Sequence, residues 1–233
     1  MSWRQTRNSF LNLIGFERSY LPRYLFKNPD LMGVDLLGWC IARLLLEVER
    51  PQFLQIGAFD GQHDDALYDS VCRYKLKGWV VEPQPAAFEA LQKTYRDQPQ
   101  VTPINAAISN KNETRTFYTT VGAPSTVASF ERSHLLKHSI KSDQITSSEV
   151  ECVTLDHLIE EYEMEPLHLM QIDTEGFDFE IVKSLMASSV RPTVVRYEQL
   201  HLTNTEKEQA LQMLAEEGYR FLCTRQDVLA TKV

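Results

Sequence analysis

Asp173, Glu198 and His201 are the side chains whose types and spacing best suit proton handling. Each follows an apolar segment that reads as a strand, Leu167–Ile172 before Asp173 and Thr193–Tyr197 before Glu198 and His201. In an open, mostly parallel sheet such strand ends share one edge, where ligands bind. His201 has the unperturbed pKa best suited to a base near neutral pH, whereas Asp173 is the better placed of the two. Asp173 and Glu198 could instead share a divalent cation such as Mg²⁺, which would orient and acidify an acceptor hydroxyl.

A second chemical signal lies earlier. Phe53–Ile56 is a short apolar run that breaks into Gly57-Ala58-Phe59-Asp60-Gly61 and then into polar, helix-forming residues. A strand running through a glycine loop into a helix brings backbone close to a nucleotide-like ligand. Glu82 follows the next apolar run, Gly78–Val81, and a carboxylate there can accept both hydroxyls of an adenosine ribose. The loop reads G-x-x-x-G, not the dinucleotide G-x-G-x-x-G, and Asp60 within it favours a cationic amino acid or sulfonium over a pyrophosphate. In the polar stretch 120–148, His134, Lys137, His138 and Lys141 suit an acceptor-binding lid or a solvated helix face, and Ser125 and Ser129 are hydrogen-bond candidates.

These residues need a sheet to hold them, and the alternation of segments supplies one. Apolar strand-like runs at 53–56, 78–81, 101–108, 150–153, 167–172 and 193–197 alternate with helix-like segments marked by Leu67/Val71/Tyr74, Phe88/Leu91/Tyr95, Leu155/Leu158/Ile159 and Ile181/Val182/Leu185. That order predicts a mostly parallel sheet with helices on both faces. A short extra strand is expected over 115–119. A last helix should open with a Thr205-x-x-Glu208 capping box, and strands at 219–223 and 228–231 should end the chain. Residues 1–50 read as a helical extension, a packed helix, a lid or an oligomer surface, and Pro51 separates them from a domain over 51–233.

The composition narrows the function classes. With 233 residues and 43% hydrophobic content the chain can bury one large core. A net charge of −8 argues against extended contact with nucleic-acid phosphates. The four cysteines, Cys40, Cys72, Cys152 and Cys223, lie far apart without metal-ligand spacing, as expected of reduced thiols in a cytoplasmic protein. The first residues lack the pattern of a signal peptide, and the apolar segment 31–48 carries Asp35 and Arg43, so no membrane association is expected. Asn112-Glu113-Thr114 is then a chance sequon.

Several blocks in order resemble the FkbM-type S-adenosylmethionine-dependent methyltransferases: Ile56–Gly61, Gly78–Pro83 with Phe88 and Leu91, Asn105–Ser109, Thr154–Asp156, Gln171–Asp178, and Tyr197-Glu198. The resemblance runs from Phe53 to the C-terminus. It implies a Rossmann-like class I methyltransferase fold: an α/β domain on a seven-stranded, mostly parallel sheet whose last strand is antiparallel. It also implies that Gly57, Ala58 and Gly61 approach the methionine part of S-adenosylmethionine through backbone, with Asp60 near its amino or ribose end. Glu82, followed by Pro83, would bind the ribose diol; Asn105, Ala106 and Ala107 would border the adenine; Asp173 would sit beside the transferring methyl. Gln55 and Phe59 stand where the pattern usually has an acid and a small polar residue. The implied activity is methyl transfer to a hydroxyl of a small molecule such as a sugar or secondary metabolite. N-methylation, a nicotinamide oxidoreductase and a non-catalytic cofactor-binding module are the other readings, and residues 1–50 are a candidate homo-oligomer surface.

Overall fold

A computed structural model describes residues 35–63 and 65–232. The chain divides into two units, Met1–Leu36 and Leu37–Val233, and the second carries the sheet. Of the expected extension over 1–50, with its lid and oligomer-surface readings, residues 1–34 lie outside the described residues. What is described of it is helix α1, Leu36–Glu47, which buries Leu37, Cys40, Ile41 and Leu44 at the three- and four-residue spacing of one helical face.

The main sheet has seven strands. In chain order they are β1 (Gln52–Ile56), β2 (Lys77–Val81), β3 (Val101–Ile104), β7 (Leu169–Ile172), β8 (Val194–Glu198), β9 (Arg220–Cys223) and β10 (Asp227–Thr231). Their spatial order is β3-β2-β1-β7-β8-β10-β9. The first five are mutually parallel, and β10 runs antiparallel to both β8 and β9. The crossovers are made by helices: α2 (Tyr68–Tyr74), α3 (Pro85–Thr94), α5 (Leu155–Glu161), α6 (Asp178–Ala187) and α7 (Asn204–Glu216). Helices on both faces bury the central strands from both sides, so β1 and β7 are buried almost continuously rather than at alternate residues. Leu54, Ile56, Met170, Ile172 and Tyr197 of the sheet pack with Leu158, Ile181, Leu185 and Leu214 of the helices. Each fully buried Leu or Ile of this kind contributes about 1.5–3 kcal/mol.

The expected strand over 101–108 is two strands in two sheets. β3 ends at Ile104, and β4 (Ala107–Ile108) joins a second, three-stranded sheet of order β4-β6-β5. Here β5 (Glu113–Thr120) and β6 (Ile145–Val153) pair antiparallel along their length, from Glu113 opposite Cys152 to Thr120 opposite Ile145. The stretch 120–148 is therefore less irregular than its composition suggests. It holds the short helix α4 (Arg132–Lys137), a 3₁₀ turn over Ser142–Gln144 and the first half of β6. The capping box of α7 also falls two residues earlier than expected: Thr203 accepts from the Glu206 N–H, and the Glu206 carboxylate accepts from the Thr203 N–H.

Candidate active site

A cavity of about 1000 Å³ opens at the carboxyl ends of β1, β2, β7 and β8. That is the edge at which doubly wound sheets take ligands, and the volume is at the upper end for a small-molecule site. Of the residues expected to bind a cofactor, Gln55, Gly57, Ala58, Phe59, Glu82, Pro83, Ala106, Ala107 and Asp173 line it. Asp60, Gly61 and Asn105 do not line it, and each has another physical role. The Asp60 carboxylate accepts from the Gln62 and His63 N–H groups, closing the loop on itself. Gly61, at φ +73°, packs where a Cβ would come within 2.8 Å of Leu91 Cδ1. Asn105 Nδ2 donates to the carbonyls of Glu82 and Pro83, tying the end of β2 to the end of β3.

The glycine loop is shaped by close approach. Gly57 has φ +80°, and a Cβ there would land on the carbonyl oxygen of Asp173. A side chain at this position would thus force apart the ends of β1 and β7. The N–H groups of Gly57 and Ala58 both donate to the Val81 carbonyl at 3.0 Å, so the loop is held by β2 and offers the ligand its surface rather than those two donors. Phe59 takes a left-handed backbone, φ 47°, and its N–H donates to Glu82 Oε2.

Glu82 is 3% exposed and also accepts from the N–H and the side-chain amide of Gln84. Burial outweighs these hydrogen bonds and pushes its carboxyl up to about 7. Gln55 donates through Nε2 to Asp65 Oδ2 at 2.9 Å. Asp65 lines the cavity and caps the start of α2 by accepting from Leu67 and Tyr68 N–H groups. Asp65 thus sets an acid beside Gln55 at the cavity. Gln171 lies directly opposite Gln55 across β1 and β7, and the Oε1 atoms of both are buried without a hydrogen-bond partner. Buried orphan acceptors are costly, and a ligand donor in the cavity would satisfy them.

The β7–β8 side of the cavity is crowded with acid. Asp173, Glu175 and Glu198 all line the cavity. Burial, together with their acidic neighbours, raises Asp173 to about 6, Glu175 to about 7 and Glu198 to about 8. Carboxyls tuned to this range can take a proton from an acceptor near neutral pH. His201 Nε2 stands 3.0 Å from Glu175 Oε2 and 3.8 Å from Glu198 Oε2. Asp173, Glu198 and His201 are therefore brought to one wall, on the turns that follow β7 and β8.

Glu175 faces the cavity, where Glu175 and Gly176 both take positive φ and turn the chain. Asp178, the first residue of α6, holds the turn before it, accepting from the Thr174 hydroxyl and the Gly176 N–H. His134, Lys137, His138 and Ser129 also line the cavity; Lys141 and Ser125 do not. The divalent-cation expectation on Asp173 and Glu198 finds no third donor grouped with them among the described residues. The ligand-type atoms gathered closely are those of His134, His138, Glu175 and His201.

A parallel sheet ending in an antiparallel strand, with the cavity at its carboxyl edge, is the Rossmann-like class I methyltransferase fold. Residues 55–221 match the family model described as Methyltransferase FkbM domain, so the chain belongs to the FkbM methyltransferase family. Compared against curated proteins, the sequence finds no match. Among solved structures it is similar to a methyltransferase FkbM from Methylobacillus flagellatus, at 12% identity and a TM-score of 0.50, covering 78% of this chain and 43% of that one. This chain thus spans less than half the length of that protein. An O-methyltransferase from Bacillus cereus, solved in complex with SAH, aligns at 10% identity and a TM-score of 0.46 over 97% of this chain and 96% of that one. An SAH-bound methyltransferase from Podospora anserina aligns at 11% and 0.43, over 99% and 97%. Among the described residues no helix is long and apolar enough to cross a membrane.

Proposed function

We propose that this chain is an S-adenosylmethionine-dependent methyltransferase that acts on a hydroxyl of a small molecule, in the cytoplasm. The observation that carries the cofactor reading is the pairing of a buried Glu82 with two orphan acceptors in one cavity. Gln55 Oε1 and Gln171 Oε1 offer acceptors to the α-ammonium of a methionine moiety. Glu82 and Pro83 would hold the ribose, Ala106 and Ala107 the adenine side, and Gly57 and Ala58 the surface against which the methionine part lies. The cofactor supplies an electrophilic methyl on a sulfonium.

The chain's own residues have three tasks. They bind the cofactor at the ends of β1 and β2, they align an acceptor from the side of β7 and β8, and they remove its proton. In-line displacement depends chiefly on that alignment. Asp173 is the proposed base, being raised towards neutrality on the wall next to the glycine loop; Glu198 and His201 assist it. The carboxyl-rich wall favours a hydroxyl over an ammonium-forming amine, because the oxygen acceptor must lose its proton as it reacts. Cytoplasmic placement is supported by the four cysteines, all free.

The test is methyl transfer from labelled S-adenosylmethionine to a panel of hydroxylated and amino acceptors, with cofactor titration alongside. S-adenosylmethionine should bind and NAD should not, with label appearing on alcohols. Binding of NAD alone would overturn the assignment, and label confined to amines would overturn the O-methyl reading.

A further inference from the structure

We propose that His134, His138, Glu175 and His201 form a binding site for one divalent transition-metal ion of the zinc class, closing the mouth of the cavity. One ligand atom from each lies within 4.8 Å of the other three. The three imidazoles are in mutual contact, with ring centroids 4.6 Å apart for His134–His138, 5.0 Å for His134–His201 and 5.2 Å for His138–His201. Glu175 Oε2 stands 3.0 Å from His201 Nε2 and 3.7 Å from His134 Nε2.

Two of these atoms point to a ligand independently of the clustering. His134 Nε2 and Glu175 Oε2 are both buried and without a hydrogen-bond partner. Buried polar atoms are rarely left so, and here two face one another across a gap too wide for a hydrogen bond. Glu175 adopts a left-handed backbone, φ 54°, that no helix start requires and that aims its carboxylate at the histidines.

The donor set selects the ion. Three imidazoles and one carboxylate suit Zn²⁺, Co²⁺ or a neighbouring first-row ion, whereas Mg²⁺ and Ca²⁺ take oxygen donors. Bonds of about 2.1 Å would draw the four atoms to roughly 3.4 Å of one another in a tetrahedron. The required movement is small, and His138, exposed at the end of α4, can supply it by rotation. The ligands come from three segments: α4, the turn after β7, and the connection from β8 to α7. An ion would therefore latch the α4 segment onto the sheet edge beside Glu198. Its role in turnover, as a Lewis acid on the acceptor oxygen, rests on the methyltransferase reading; its binding does not.

The test uses the full chain, stripped with chelator and titrated with Co²⁺ and Zn²⁺, with metal content measured after dialysis. Expected are one ion retained per chain, a visible Co²⁺ spectrum of low-coordinate type, and affinity weakened about a hundredfold or more in His138→Ala and His134→Ala. His138 is exposed, so its variant should fold as the parent does, and His157→Ala, outside the cluster, should bind like the parent. The ion should also slow hydrogen exchange over residues 132–138. Failure to retain Co²⁺ or Zn²⁺, retention unchanged in both histidine variants, or retention of Mg²⁺ alone would each overturn the site. S-adenosylmethionine titrated into the same preparations separates the two claims, since Co²⁺ binding without cofactor binding upholds the site and refutes the methyltransferase reading.

Discussion

The carbonyl oxygen of Asp173 occupies the place that a Cβ on Gly57 would take. The glycine loop and the proposed base are thus packed backbone to backbone, across neighbouring parallel strands β1 and β7. Gly57→Ala should therefore act at both sites. It should destabilise the protein by roughly 2–5 kcal/mol, from overpacking plus an unfavourable positive φ. Urea denaturation reads the first effect and cofactor titration the second. An alanine variant as stable as the parent would refute the close approach.

Glu82 gives a pH dependence of defined sign. Its folded pKa, about 7, is above the ordinary carboxyl value of 4.5, so folding favours its protonated form. The contribution is fully present below about 4.5 and is lost as pH rises through 7. The difference corresponds to roughly 3 kcal/mol. The cofactor-free protein should lose stability relative to Glu82→Gln over that window. Cofactor affinity should move the opposite way, because the ionised carboxylate is the better acceptor for two ribose hydroxyls. Denaturation and titration between pH 5 and 8 would show opposed slopes in the parent, each reduced in the variant, where Asp173, Glu175 and Glu198 keep their own share of the pH dependence.

Gln171→Leu should separate stability from binding. Removing a buried acceptor that lacks a partner should leave the cofactor-free protein equally stable or more stable by about 1 kcal/mol. The same change should weaken S-adenosylmethionine binding by a factor of about 10. Calorimetry reads both quantities, and a variant that loses stability while binding normally would assign Gln171 to the fold alone.

Asp173→Asn should divide binding from turnover in the other direction. Loss of a general base typically costs 10²–10⁴ in rate, and the isosteric amide keeps the loop packing. The kcat for methyl transfer should fall by about that factor while cofactor affinity changes little. Unchanged kcat would move the role to Glu198 or His201.

What the sequence made legible follows from burial. Central strands covered on both faces give continuous apolar runs, so β1, β2, β7 and β8 and the acids at their ends could be read directly. β5 and β6 could be read only in part, as the short strand over 115–119 and the run at 150–153, since among β5 residues Phe117 alone is buried and β6 stays exposed until Val150. A mostly solvated ribbon carries little hydrophobic alternation. The α7 cap was misplaced because Thr203-x-x-Glu206 and Thr205-x-x-Glu208 overlap, and local pattern cannot choose between them. Asp65 was missed, although an acid two residues before Leu67 is a recognisable helix-start signal. The turn of Glu175 into the cavity could not be read, because nothing local reveals a left-handed backbone at a non-glycine position. His134 and His138 were visible as an i, i+4 pair, but their meeting with His201 is a product of the fold.

The central claim is that Glu82 anchors S-adenosylmethionine in the cavity at the ends of β1 and β2. Isothermal titration of S-adenosylhomocysteine into the parent and Glu82→Ala at pH 8 tests it most directly. The account predicts saturable binding to the parent and loss of detectable binding in a variant that remains folded. A parent that does not bind, or a Glu82→Ala variant that binds as tightly as the parent, would contradict it.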